Sequence, residues 1–254
     1  MTDQPDLTDQ TELSAAETVR AADTTIHDIG SKWMLDPAVS EHGTRLGYAN
    51  PFAFYFAGRA GVLGDVDGSV AWSALGFFEP GVVRAMWDEG VAVAGAREAA
   101  RRYARAFTAW AEERVPHDQR LCELAERVAD AADGAGLPLF CGWRAEPRPD
   151  PGPGRLVQAL QVLRELRGGM HLVATTAVGL TPLEAVLTNE GEGKAKFCGW
   201  QGGFPDCTAL KPRLAEAEEI TDRLSAAVYE RALSPSERAE FAGLVAKAGA
   251  AVLP

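Results

Sequence analysis

The stretch VLRELRGGMHLV, residues 162–173, sets Arg164, Arg167 and His171 at i, i+3 and i+7 in an otherwise apolar run. On a helix that spacing gathers all three on one face. Neighbouring guanidiniums suit a carboxylate, phosphate or sulfate, which they grip through charged hydrogen bonds. A histidine beside them can exchange a proton near neutral pH. The combination reads as a pocket for an anionic small molecule, with Arg164 and Arg167 binding substrate and His171 catalytic. A buried Arg–Glu or Arg–carbonyl network joining two bundles is the alternative use of the same residues.

Helical angles bear on that choice. With Leu156 as zero and about 100° per residue, Leu160, Leu163 and Met170 fall within roughly 40° of it, and Arg167 lies among them. Arg164 and His171 stand at the edge of this stripe, about 80° and 60° round, while Gln158, Gln161 and Glu165 take the opposite, polar side. The arginines therefore continue the apolar face. Arginine cannot shed its proton, so a buried guanidinium demands a carboxylate, carbonyls or an anionic ligand. Gly168 and Gly169 each cost the helix about 1 kcal/mol relative to alanine, which points to close approach by another backbone or a ligand.

Three more residues are candidates. Arg59 interrupts the apolar FAFYFAGRAGVLG and is a third substrate-binding candidate. Glu79 in GFFEPGVV and Asp36 in MLDP are acids in apolar surroundings, candidate catalytic bases or arginine partners.

These residues need helices to position them. Ala15 to Leu35 carries Val19, Ala22, Ile26, Ile29 and Trp33 at helical spacing. Helix starts are marked by Asn50-Pro51, by Pro80, and by the capping boxes Thr181…Glu184 and Ser234…Glu237. A long buried helix is expected from about Arg155 to Ala177, stopped by Gly179. No run of alternating β-branched residues occurs. The sequence thus predicts an all-α fold, a helical bundle of about eight to ten helices with little or no β structure. The expected organisation is a disordered tail at 1–14, an N-terminal bundle at 15–135, a Pro/Gly-rich connection at 136–153, and a C-terminal bundle at 154–254 packed against the first.

Composition narrows the function classes. A net charge of −11 over 254 residues argues against a broad phosphate-tracking surface, and so against DNA as a partner. The clustered Arg97, Arg101, Arg102 and Arg105 have Glu98 and Glu112 close by and read as a solvated helix face. The four cysteines show no CxxC and no paired histidines, so they read as reduced thiols, with no metal site and no cofactor. The dinucleotide glycine fingerprint and the Walker A motif are absent. The acidic start MTDQPDLTDQ is no signal peptide, and no apolar segment spans a bilayer, so a cytoplasmic protein without a membrane partner is expected.

The segments FAGRAGVLGDV, FFEPGVVRAM, LPLFCGWRAEPRPD and VLRELRGGMHLVATTAVGLTPLEAVL, with GW at Gly199 and ITDRL, resemble the SalK-like family of actinobacterial proteins, named for a helix-turn-helix. The most specific part is Arg164, Glu165, Arg167, Gly168 and His171. Family members read roughly Arg-Glu-His-Arg-Gly-Asp-Gly-His there. Here Leu166 replaces the first His, Gly169 the Asp and Met170 the Gly, which removes two polar groups from the site. The resemblance implies a role in specialised metabolism, antibiotic biosynthesis included, or in its regulation. It also implies a winged helix-turn-helix, which is degenerate over about 197–225: the turn and the wing are missing, and Glu216, Glu218, Glu219 and Asp222 make the following helix acidic.

Three functions stay open on the sequence. One is an enzyme or enzyme subunit that performs acid–base chemistry on an anionic small molecule without a redox cofactor, such as a lyase or cyclase expelling an anion. The second is a ligand-sensing winged-helix regulator. The third is a non-catalytic partner subunit of a biosynthetic complex; the protein partners expected are a second copy of the chain, as a homodimer, or a heteromeric subunit.

Overall fold

The computed structural model describes residues 12–34 and 36–253. Among the described residues there are thirteen α-helices and no strand. In chain order they are α1 (Ala15–Met34), α2 (Pro37–Arg45), α3 (Pro51–Ala60), α4 (Gly68–Leu75), α5 (Pro80–Ala94), α6 (Ala96–Arg114), α7 (Gln119–Ala131), α8 (Pro138–Ala145), α9 (Pro153–Ala177), α10 (Pro182–Asn189), α11 (Gly191–Phe197), α12 (Lys211–Ala232) and α13 (Pro235–Val252). The all-α expectation holds. The larger helix number comes from α2, α8 and α11, of 9, 8 and 7 residues, which are too short to display a helical period in sequence.

Helix starts follow local chemistry. Asn50 and Asp67 accept from backbone N–H groups two residues on, and Thr181 and Ser234 form full capping boxes with Glu184 and Glu237. Proline occupies the first turn of both boxed helices, where its missing N–H costs nothing.

Helix α9 is the axis of the molecule. Its 25 residues run about 37 Å and pack against α1, α6, α7, α8 and α12. Helix α1 lies on α13, α12 and α9, although it precedes the 136–153 connection by more than a hundred residues. Helices α3, α4, α5 and α6 form the other wall. One continuous core runs from Val19 through Phe54, Trp143 and Leu163 to Val252. Residues 1–11 of the expected tail lie outside the described residues. Leu13 is buried, and its N–H donates to Pro235 O at 3.0 Å.

The angular reading of α9 needs correction. Gln158, Gln161 and Glu165, expected on a wet face, are 4%, 0% and 1% exposed. Helices surround the first two-thirds of α9 on every side, so it has no solvent face there. Its polar residues are interior groups that need interior partners.

Candidate functional site

A cavity of about 810 Å³ opens along α9, within the size range of small-molecule sites. Arg59, Arg164, Arg167 and His171 all line it, together with the unforeseen His27, Tyr55, Glu165 and Lys194. Its apolar wall includes Phe52, Phe77, Phe78, Leu163 and Leu172.

The polar centre is built on Glu165. Arg59 Nε and Nη2 donate to its two oxygens at 2.7 and 2.9 Å, a two-pronged pairing across α3 and α9. Gln161 Nε2 donates to Glu165 Oε1 at 2.6 Å, and Arg59 Nη1 donates to Tyr55 Oη at 2.8 Å. Burial opposes the Arg59 charge, yet Glu165 and Tyr55 outweigh it and hold its pKa above the ordinary value. Burial likewise opposes the Glu165 carboxylate, but Arg59 prevails and keeps it below the usual range.

Arg164 is different. Its Nη1 is 3.6 Å from Glu165 Oε1, too far for a hydrogen bond. Its Nε is buried without a partner, and its side chain is 13% exposed. Among the described residues the Arg164 guanidinium makes no hydrogen bond. Burial, then the neighbouring Arg59 charge, pulls its pKa down, and still it remains charged. Gly30 of α1 lets it pass: a Cβ there would overlap Arg164 Cδ.

Arg167, expected at the centre of the buried stripe, is 32% exposed in its side chain and fully engaged. Its Nε donates to Asp23 Oδ2 at 3.1 Å and its Nη2 to Glu218 Oε2 at 2.9 Å, with Asp222 at 3.5 Å. It ties α9 to α1 and α12, which is the network use of these residues. Burial pushes the Asp23 carboxyl up to about 6, against the opposing pull of Arg167 and of Tyr229, whose hydroxyl donates to it at 3.1 Å.

His171 lies against Phe77, ring centroids 5.7 Å apart, with Nδ1 3.1 Å from Thr221 Oγ1. The Thr221 hydroxyl donates to Ala217 O at 2.7 Å, so it accepts from His171 Nδ1–H. That leaves His171 Nε2 unprotonated, 3.7 Å from Glu218 Oε1. Burial holds the ring below the ordinary histidine value, so it is a neutral base at pH 7. His27 is likewise held down, first by burial and then by Arg164.

Glu79 and Asp36 do not join the site. Glu79 caps α5, accepting from Val82 N at 2.6 Å. Asp36 caps α2 through Ala38 N at 2.8 Å and accepts from Trp110 Nε1 at 2.9 Å. Both carboxylates sit beside prolines because they start helices. Gly168 meets no atom that a Cβ would touch, so it opens the cavity wall instead of admitting another backbone.

Of the residues not foreseen, Tyr55 precedes Arg59 by one turn, a pairing visible in FAFYFAGRA. His27 and Gly30 reach the site only through packing of α1 on α9. Among the described residues no group of His, Cys, Asp and Glu has metal-ligand geometry, and no single helix is long and apolar enough to cross a membrane. Burial raises the Cys122 and Cys198 thiols to about 11, so neither is a thiolate at neutral pH.

Residues 19–206 match the model of a family described as a helix-turn-helix family. No curated protein and no solved structure matches the chain.

Proposed function

We propose that the chain, which belongs to that helix-turn-helix family, is an acid–base enzyme of specialised metabolism acting on an anionic small molecule with an apolar body. The observation that carries this reading is the Arg164 guanidinium on the wall of a roomy, aromatic-lined cavity: its Nε is buried without a partner, and its Nη groups make no hydrogen bond among the described residues. A buried charge left without an acceptor is costly, and a ligand anion supplies the missing acceptor. His171 lies two helical turns further, about 10 Å along α9, with Nε2 free to take a proton. A ligand whose anion rests on Arg164 and whose apolar body lies along Phe77 and Leu172 presents its far end to that base. Acid–base chemistry at that far end suits His171, which takes a proton there, while Arg164 holds the anionic end of the ligand in place. The Arg-Glu-x-Arg-Gly pattern and His171 support a place beside the SalK-like actinobacterial members.

The test is a calorimetric titration with benzoate and with its neutral isostere benzamide. Saturable binding of benzoate, absent for benzamide and lost in Arg164→Met, is the expected result. Equal binding of the two, or benzoate binding untouched in R164M, overturns the reading.

The family description favours a second reading, a ligand-sensing DNA-binding regulator. Helices α10 and α11 pack on one another across Glu190, but Lys194 and Lys196 of α11 are paired with Glu190 and Glu192, each at 3.2 Å. A recognition helix needs free cations for phosphates. Salt-sensitive binding to duplex DNA in a gel shift would establish the regulator instead.

A further inference from the structure

The charges around the cavity pair off unevenly. Lys194 is matched by Glu190 at 3.2 Å. Arg167 faces Asp23, Glu218 and Asp222, so that end carries excess negative charge. His27 and His171 are both held below their ordinary values, which leaves them neutral above pH 7. At the Glu165 centre two guanidiniums, Arg59 and Arg164, meet one carboxylate. Glu165 spends both oxygens on Arg59, so a single positive charge is left over, located on Arg164.

We infer that the ligand bears one negative charge at this point, a carboxylate in preference to a doubly charged phosphate, and that Glu165 is the specificity-determining residue. The inference rests on the binding reading above and adds the charge of the ligand to it. One planar guanidinium matches one carboxylate in charge and in geometry. A dianion would bring a second charge with no cation to meet it. It would lie beside the Glu165 carboxylate, and the only other ends of the cavity are neutral or negative. Buried like charges are strongly disfavoured, so Glu165 works as the repulsive element against phosphate. Glu165 is 1% exposed and touches Arg59 and Gln161, so water does little to screen it.

Phenyl sulfate and phenyl phosphate separate charge from shape. The two are nearly isosteric, but at pH 8 the phosphate is a dianion, its second pKa lying at about 6, while the sulfate is a monoanion. Calorimetric titration of the full chain should show phenyl sulfate binding roughly tenfold or more tighter than phenyl phosphate, with benzoate siding with the sulfate. Glu165→Gln raises the local charge by one and should reverse the order. Arg59→Met combined with Glu165→Gln returns the charge to that of the parent and should restore preference for the sulfate. Parent protein that binds phosphate as tightly as sulfate overturns the inference, as does a folded E165Q with an unchanged ratio. If E165Q does not fold, the parent ratio and the double variant decide by the same criteria. If neither ester nor benzoate binds, the underlying binding reading falls and takes the inference with it; binding with the wrong charge order leaves that reading standing and removes only the inference.

Discussion

Arg164→Met should stabilise the protein while it destroys the site. Methionine keeps the unbranched stem that lies against Gly30, so little packing is lost. What disappears is a guanidinium with a buried, unpartnered Nε and a like-charged neighbour in Arg59. A buried donor left unsatisfied costs about 1–3 kcal/mol, more when charged. The loss of attraction to Glu165 at 3.6 Å offsets part of this gain. A net gain of about 2 kcal/mol corresponds to a rise in melting temperature of roughly 4–8 °C for a chain of this length. Thermal unfolding followed by circular dichroism, with benzoate titrated into both proteins, reads stability and binding together. A variant that melts several degrees lower, as a structural arginine would, refutes the assignment of Arg164 as the free cation.

Arg59→Met should behave oppositely: it strands Glu165 in the core and should cost about 3–5 kcal/mol by urea denaturation. Gly30→Ala should leave the fold intact but displace Arg164, weakening benzoate binding at least tenfold by calorimetry. His171→Ala should abolish turnover, or weaken ligand binding, with the melting temperature within a few degrees of the parent. Asp23, with its pKa raised from 3.8 to about 6, is protonated more readily in the fold than in the unfolded chain. Its contribution is therefore full below pH 4 and lost as pH rises through 6, a span of about 3 kcal/mol. The difference in stability between the parent and Asp23→Asn should shrink on going from pH 5 to pH 7.5. A difference that stays flat would contradict the raised value.

The helices and their caps were legible in the sequence because their signals are local: Asn50, Thr181 and Ser234 mark starts within four residues. Helices α2, α8 and α11 were not, since one or two turns carry too little period. The wheel of α9 could rank its residues around a single buried stripe, but it could not count neighbours. Five helices pack on α9, and so Glu165 went from wet face to buried centre. Arg59, Arg164, Arg167 and His171 do share one cavity. Which arginine is free was beyond the sequence, because the partners of Arg167 stand 144 and 51 residues away and Arg59 is 106 residues from Glu165. Glu79 and Asp36 start helices and lie outside the cavity, which the sequence could not show because an acid before a proline looks alike as a base and as a helix cap.

A crystal structure grown with benzoate should show density for a carboxylate within hydrogen-bond distance of the Arg164 guanidinium, with the Arg59–Glu165 pair and the Arg167–Asp23 pair unchanged. Benzoate bound elsewhere, with Arg164 still lacking an acceptor or turned onto a protein carboxylate, would contradict the binding reading.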